Sequence, residues 1–69
     1  MNDEPDKVYA VKDIIANRLD EVDRTLILLY ADCQSFRKLG ERLGMSHTTV
    51  RKEIVRIKNN IRDLYERLY

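Results

Sequence analysis

Apolar residues recur at intervals of three and four along nearly the whole chain, and no stretch alternates with a period of two. That pattern predicts helices and no sheet. Four segments carry it, near residues 6–19, 21–32, 35–43 and 46–68, so the expected fold is all-α, four helices with a long last one. In the first, Val8, Val11, Ile15 and Leu19 fall on one face. The second follows Asp20, an N-cap residue with Glu21 and Asp23 in the first turn. Its Val22, Leu26, Ile27, Leu28, Leu29 and Tyr30 spread around the helix, which predicts burial on several sides and a central place in the core. Ser35 caps the third helix, where Phe36, Leu39 and Leu43 make the apolar face. Gly44 ends it, and Ser46 caps the fourth. Residues 1–5 are expected as a disordered tail ahead of a single domain spanning 1–69.

The third and fourth helices, over residues 35–58, have the makings of a tight bihelical unit. Two helices that cross closely need a small residue at the contact, and Gly40 is placed there. A glycine inside a helix costs about 1 kcal/mol relative to alanine, so a packing reason is the economical one. Gly44 supplies the positive φ of a three-residue turn, Gly44-Met45-Ser46, and Met45 is expected to bury itself just after it. Leu39, Leu43, Val50 and Ile54 then face the core. A plain helical hairpin demands none of these four features together, so the unit reads as a helix-turn-helix.

Length and composition narrow the rest. Sixty-nine residues make one small domain. Cys33 is the only cysteine and His47 the only histidine, so neither a disulfide nor a metal cluster is expected, and no cofactor. The amino-terminal residues are acidic where a signal peptide is basic, and the longest apolar run, Leu26 to Ala31, is far short of a membrane span. A cytoplasmic protein without a membrane partner is the expectation. Net charge is only +1, but residues 1–23 hold seven acids and three bases while residues 24–69 hold ten bases and five acids. That polarity suits a module offering a basic face to phosphate, and equally a solvated helical surface. No paired carboxylates, nucleophile–base couple or glycine-rich phosphate loop stands out, which argues against an enzyme.

The chemistry worth following lies on the outward side of the fourth helix. With Val50 and Ile54 inward, Ser46, His47, Thr48, Thr49, Arg51, Lys52 and Arg56 remain for solvent. A helix N-terminus bearing donors and positive charge fits the major groove of double-stranded DNA, where arginine reads guanine bidentately and threonine methyls meet thymine. The open amides at Ser46 and Ser35 suit phosphate, and Arg37 stands beside the latter.

The run from Leu19 to Arg62, 44 of the 69 residues, resembles region 4 of bacterial sigma-70-family sigma factors, most nearly the extracytoplasmic-function type. The residues that carry the likeness are Arg24 with Leu26-Ile27-Leu28-Leu29-Tyr30, then Ser35, then Leu43-Gly44-Met45-Ser46-His47-Thr48-Thr49-Val50. Output domains of quorum-sensing-type regulators share much of the pattern. The resemblance implies that the helix starting at Ser46 reads a −35 promoter element and that the surrounding helices grip RNA polymerase core. No counterpart of sigma region 2 is present, which argues against a complete sigma factor. The alternative function is a protein-interaction module that docks on RNA polymerase or another regulator without reading bases.

The fourth helix also carries a second pattern. Val50, Ile54, Ile57, Ile61, Leu64 and Leu68 form an unbroken heptad seam. Its second half either packs on the first helix, the expectation here, or joins a second copy as a homodimer.

Overall fold

The computed structural model describes residues 4–69, and side-chain surroundings from residue 7 onward. It holds four helices, α1 (Glu4–Asn17), α2 (Glu21–Cys33), α3 (Phe36–Leu43) and α4 (His47–Leu68), and no strand among the described residues. The expected tail over residues 1–5 falls partly outside the described residues. Glu4 and Pro5 already belong to α1, and proline is well suited to a first helical turn, where its missing N–H has no partner to lose.

Local chemistry starts α2, α3 and α4, and ends α3, where the sequence puts it. The Asp20 carboxylate accepts the Asp23 amide at 2.8 Å, the Ser35 hydroxyl accepts the Lys38 amide at 3.2 Å, and the Ser46 hydroxyl accepts the Thr49 amide at 3.1 Å. Gly44 closes α3 at φ 69°, its amide returned to the Gly40 carbonyl. Gln34 closes α2 in the same left-handed conformation, at φ 56°. Glutamine is not among the residues that favour that region, and nothing in the sequence marked it.

α4, rather than α2, is the spine. It packs against all three other helices, and its Val50, Ile54, Ile57 and Ile61 are buried together with Leu39 of α3, Ile27 of α2, and Ile14 and Leu19 from the amino-terminal part. α2 sits on the flank of this core. Only Ile27 and Asp23 are buried along it, while Val22 is 67% and Leu28 53% exposed. Its apolar residues circle the helix, but the other helices cover one side only.

The buried face of α1 also differs from the expected one. Ala10 and Ile14 are buried, Val11 and Ile15 are half-buried, and Val8 is 52% exposed. α1 carries two overlapping apolar stripes, 10/14 and 8/11/15, and the one with the smaller residue turns inward. Ala10 lets the α1 backbone approach α4 more closely than Val8 would. At the far end of α4 the seam thins out: Ile61 is buried, Leu64 and Tyr65 are half-buried, and Leu68 is exposed. This half packs on α1, where the Tyr69 hydroxyl donates to the Asp13 carboxylate at 2.7 Å and the Lys7 ammonium lies 5.9 Å from the centre of the Tyr65 ring.

Leu43 and Met45, both expected inside, lie at the surface. The reason is the turn backbone. Met45 donates its amide to the Gly40 carbonyl at 2.8 Å and turns its own carbonyl onto Gly40, which leaves its side chain outside beside Val22, Leu26 and Leu29. Gly40 is thus the close-contact glycine, but what it meets is the turn rather than the middle of α4. A Cβ there would lie 2.5 Å from the Met45 carbonyl oxygen and 3.4 Å from the His47 nitrogen.

Alanine should favour an interior helix position over glycine by about 1 kcal/mol. Gly40→Ala is nevertheless expected to destabilise the protein by a net 1–3 kcal/mol or so, because the obstructing atom is backbone. A thermal melt checks this, at about 4–8 °C per kcal/mol for a domain of this size. A variant that melts at or above the parent would show that the turn yields freely.

Candidate nucleic-acid interface

The amino-terminal turns of α4 are set by the Ser46 cap. Its hydroxyl accepts the Thr49 amide and donates to the Thr49 hydroxyl at 2.9 Å, so both side chains are tied to each other at the helix start. Val50 and Ile54 are buried at 1% and 0% exposure, and this fixes the rotation of α4. At about 100° per residue, Thr48 and Lys52 then stand one above the other on the side opposite the core, with Arg51 on the flank. His47, Thr48, Arg51 and Lys52 are all exposed. Neither Arg51 nor Lys52 has an ion-pair partner among the described residues. Ser35 and Arg37 stand at the start of α3, with Arg37 exposed and Ser35 half-buried by its capping role.

Arg56, placed by the sequence among the groups facing DNA, is committed elsewhere. Its guanidinium donates to both oxygens of Asp23 on α2, at 2.7 and 3.1 Å, and also to Glu53 at 2.9 and 3.1 Å. Asp23 is the one buried charged residue among those described. The fork of the arginine matches the two carboxylate oxygens, a geometry that fixes α4 against α2 in rotation as well as in distance. Those hydrogen bonds hold the Asp23 carboxyl below its ordinary range and raise the Arg56 guanidinium further above its own. Asp23 and Arg56 lie 33 positions apart, so no local pattern could have paired them.

Two further groups have structural places that the sequence pattern did not give. Val55 is 42% exposed one turn beyond Arg51, adding an apolar patch to the polar face. Arg24 donates to the carbonyls of Ala16 and Leu19 at 3.2 and 3.3 Å, closing the carboxyl end of α1.

The arrangement is a short helix, a left-handed glycine turn closed on a tight glycine contact, and a capped second helix whose first turns stand clear of the core. A helix-turn-helix domain model matches residues 12–57, two-thirds of the chain. The chain belongs to the helix-turn-helix domain family. No curated protein and no solved structure matches it. The matched segment of this helix-turn-helix domain starts within α1 and stops at Ile57, the last buried residue of the spine before Ile61. Among the described residues no helix is long and apolar enough to cross a membrane.

The Asp23–Arg56 pair makes a pH-dependent contribution with a definite sign. A carboxyl whose folded pKa is depressed stabilises the fold above its unfolded value, about 3.9, and loses that contribution as pH falls through the lower folded value. Asp23→Asn is therefore expected to be less stable than the parent at neutral pH, by about 1–3 kcal/mol. The gap should narrow below about pH 4. Urea melts of both proteins between neutral and acid pH check it; a gap independent of pH would mean the carboxylate charge contributes nothing.

Proposed function

We propose that the protein binds double-stranded DNA, with the amino-terminal half of α4 as recognition helix in the major groove, and that it acts in transcription initiation or its regulation. The observation that carries this reading is the pair Arg51 and Lys52, exposed and without ion-pair partners beside the capped start of α4, in a chain of the helix-turn-helix domain family. Arg51 is assigned to a base edge, His47 and Thr48 to the groove beside it, and Lys52 and Arg37 to phosphates. Ser46, Thr49 and Ser35 act through their caps, whose open amides suit phosphate. Arg56 serves by holding α4 at its angle to α2. The likeness to sigma region 4 extends the proposal to a −35-type promoter element as target and RNA polymerase core as partner. It rests on the same residues, Arg24 to Tyr30 and Leu43 to Val50.

Arg51→Ala should weaken binding to a selected site by about 1–3 kcal/mol and relax preference at one base position. Lys52→Ala should weaken binding to every sequence and reduce the dependence on salt by about one counterion. Selection from random DNA at low salt, with and without polymerase core, followed by anisotropy titrations of both variants, measures these effects. Parent-like binding by both would transfer the function to protein docking without base reading.

A further inference from the structure

The outer edge of the apolar surface of α1 is uncovered among the described residues: Val11 and Ile15 pack on the core with part of their surface left open, and Val8 is exposed. Val8, Val11 and Ile15 fall at intervals of three and four along this edge, and Leu28 of α2, 53% exposed, continues the row. Shallow hollows run along it. One is formed by Lys7, Val8, Val11 and Lys12, a second by Lys12, Ile15, Ala16, Arg24 and Leu28. A third, between α1 and α4, shares Lys7 and Val11 with the first and adds Ile61 and Tyr65. Cations border this apolar row on both sides. Lys7 and Lys12 flank the stripe on α1 itself, Arg24 stands at its end, and Lys58 and Arg62 stand on α4. Among the described residues Glu66 is the one acid that lines any of the three hollows. Two of these cations, Lys7 and Lys12, come from the acidic part of the chain, where residues 1–23 hold only three bases.

We infer that this face docks an acidic amphipathic helix of another protein, its apolar side chains seated on Val8, Val11, Ile15 and Leu28 and its carboxylates beside Lys7 and Lys12. A helical occupant suits a row spaced at helical intervals, since ridges on one helix fit grooves on another. The charge selects the occupant: acidic flanks complement the lysines and steer the encounter. A second copy of this chain would set like charges against each other across a two-fold contact. Nucleic acid would gain nothing from the apolar row. The face lies beside the carboxyl half of α4, and none of its hollows includes Arg51 or Lys52, so the recognition helix stays open when it is filled.

The test uses the full chain and a designed helical peptide of about 18 residues, five turns, with leucine at the heptad core positions and glutamate flanking them. A second peptide has lysine in place of every glutamate. Vesicles containing anionic phospholipid make a third arm, and sedimentation of the protein alone a fourth. The acidic peptide is expected to bind, more weakly as salt rises, shifting the amide resonances of Val8, Val11, Ile15 and Leu28. The basic peptide should bind about tenfold or more weaker. Lys12→Glu and Val8→Asp should each weaken the acidic peptide by about tenfold. Both side chains are exposed, so helix content and melting should stay at the parent's values. Equal affinity for the two peptides, no binding of either, or binding that Lys12→Glu and Val8→Asp leave unchanged overturns the proposal. Vesicle binding or self-association abolished by Val8→Asp, without acidic-peptide binding, overturns it in favour of a lipid surface or a second copy.

Discussion

The contact on which the rest depends is the one between Gly40 and the carbonyl of Met45. It leaves no room for a side chain, so the turn folds back onto α3 and the start of α4 is held against the middle of the helix before it. The Gly40 carbonyl accepts the amides of both Gly44 and Met45, and so the turn is bonded as well as packed at this residue. From there Ser46 can cap α4, and Val50 and Ile54 can reach Leu39 in the core. If this approach loosened, the angle between α3 and α4 would change. The exposed side chains of α4 keep their mutual spacing whatever happens to that angle, but their direction relative to the rest of the molecule comes from it.

A domain this small has little apolar burial to spare, and the distribution of that burial explains its architecture. One long helix serves as the common wall, so every other helix needs only one good face. Ile14, Leu39, Ile54 and Ile57 are completely buried, and each of the three shorter helices contributes to the cluster around α4. α2 contributes Ile27 with the half-buried Leu26, Leu29 and Tyr30, and it also carries the buried carboxylate. The bidentate pair between Asp23 and Arg56 adds a directional contact to this apolar packing. Removing either partner is not symmetrical. Arg56 is half-exposed and could turn to water, whereas Asp23 would be left buried without its cation.

The parts that sequence reasoning reached are those with local causes. Asp20, Ser35, Ser46 and Gly44 act on amides or carbonyls within a few residues, and each helix begins or ends beside them. Facing was harder. α1 holds two stripes, and spacing alone prefers the longer 8/11/15 series, whereas close packing prefers the one containing Ala10. Met45 misled for a related reason: an apolar residue after a turn glycine reads as buried, but here its carbonyl, not its side chain, points inward. At the interface, the exposure of Thr48, Arg51 and Lys52 followed from the inward positions of Val50 and Ile54. The commitment of Arg56 did not, because its partner lies on another helix and no periodicity connects them.

The pairing of Arg56 also changes how the charge of the molecule should be read. The net +1 is spread over cations in two different conditions. Arg56 is neutralised by carboxylates, Arg42 lies 3.6 Å from Asp32, and Arg24 closes a helix end, so these serve the fold. Arg51 and Lys52 on α4, and Lys12 on α1, have no such partner among the described residues. An arginine held between two carboxylates presents little field to an approaching phosphate, while an exposed unpaired one presents its full charge, screened only by salt over about 8–10 Å. Counting basic residues along α4 would therefore overstate its reach by one arginine. With Arg56 withdrawn, Arg51 and Lys52 carry the unpaired positive charge of the first two turns, where the open amides of the helix start point the same way, and Lys58, Arg62 and Arg67 form a separate set further along α4. Shape and charge then coincide at the end of α4 that the Gly40 turn holds in place.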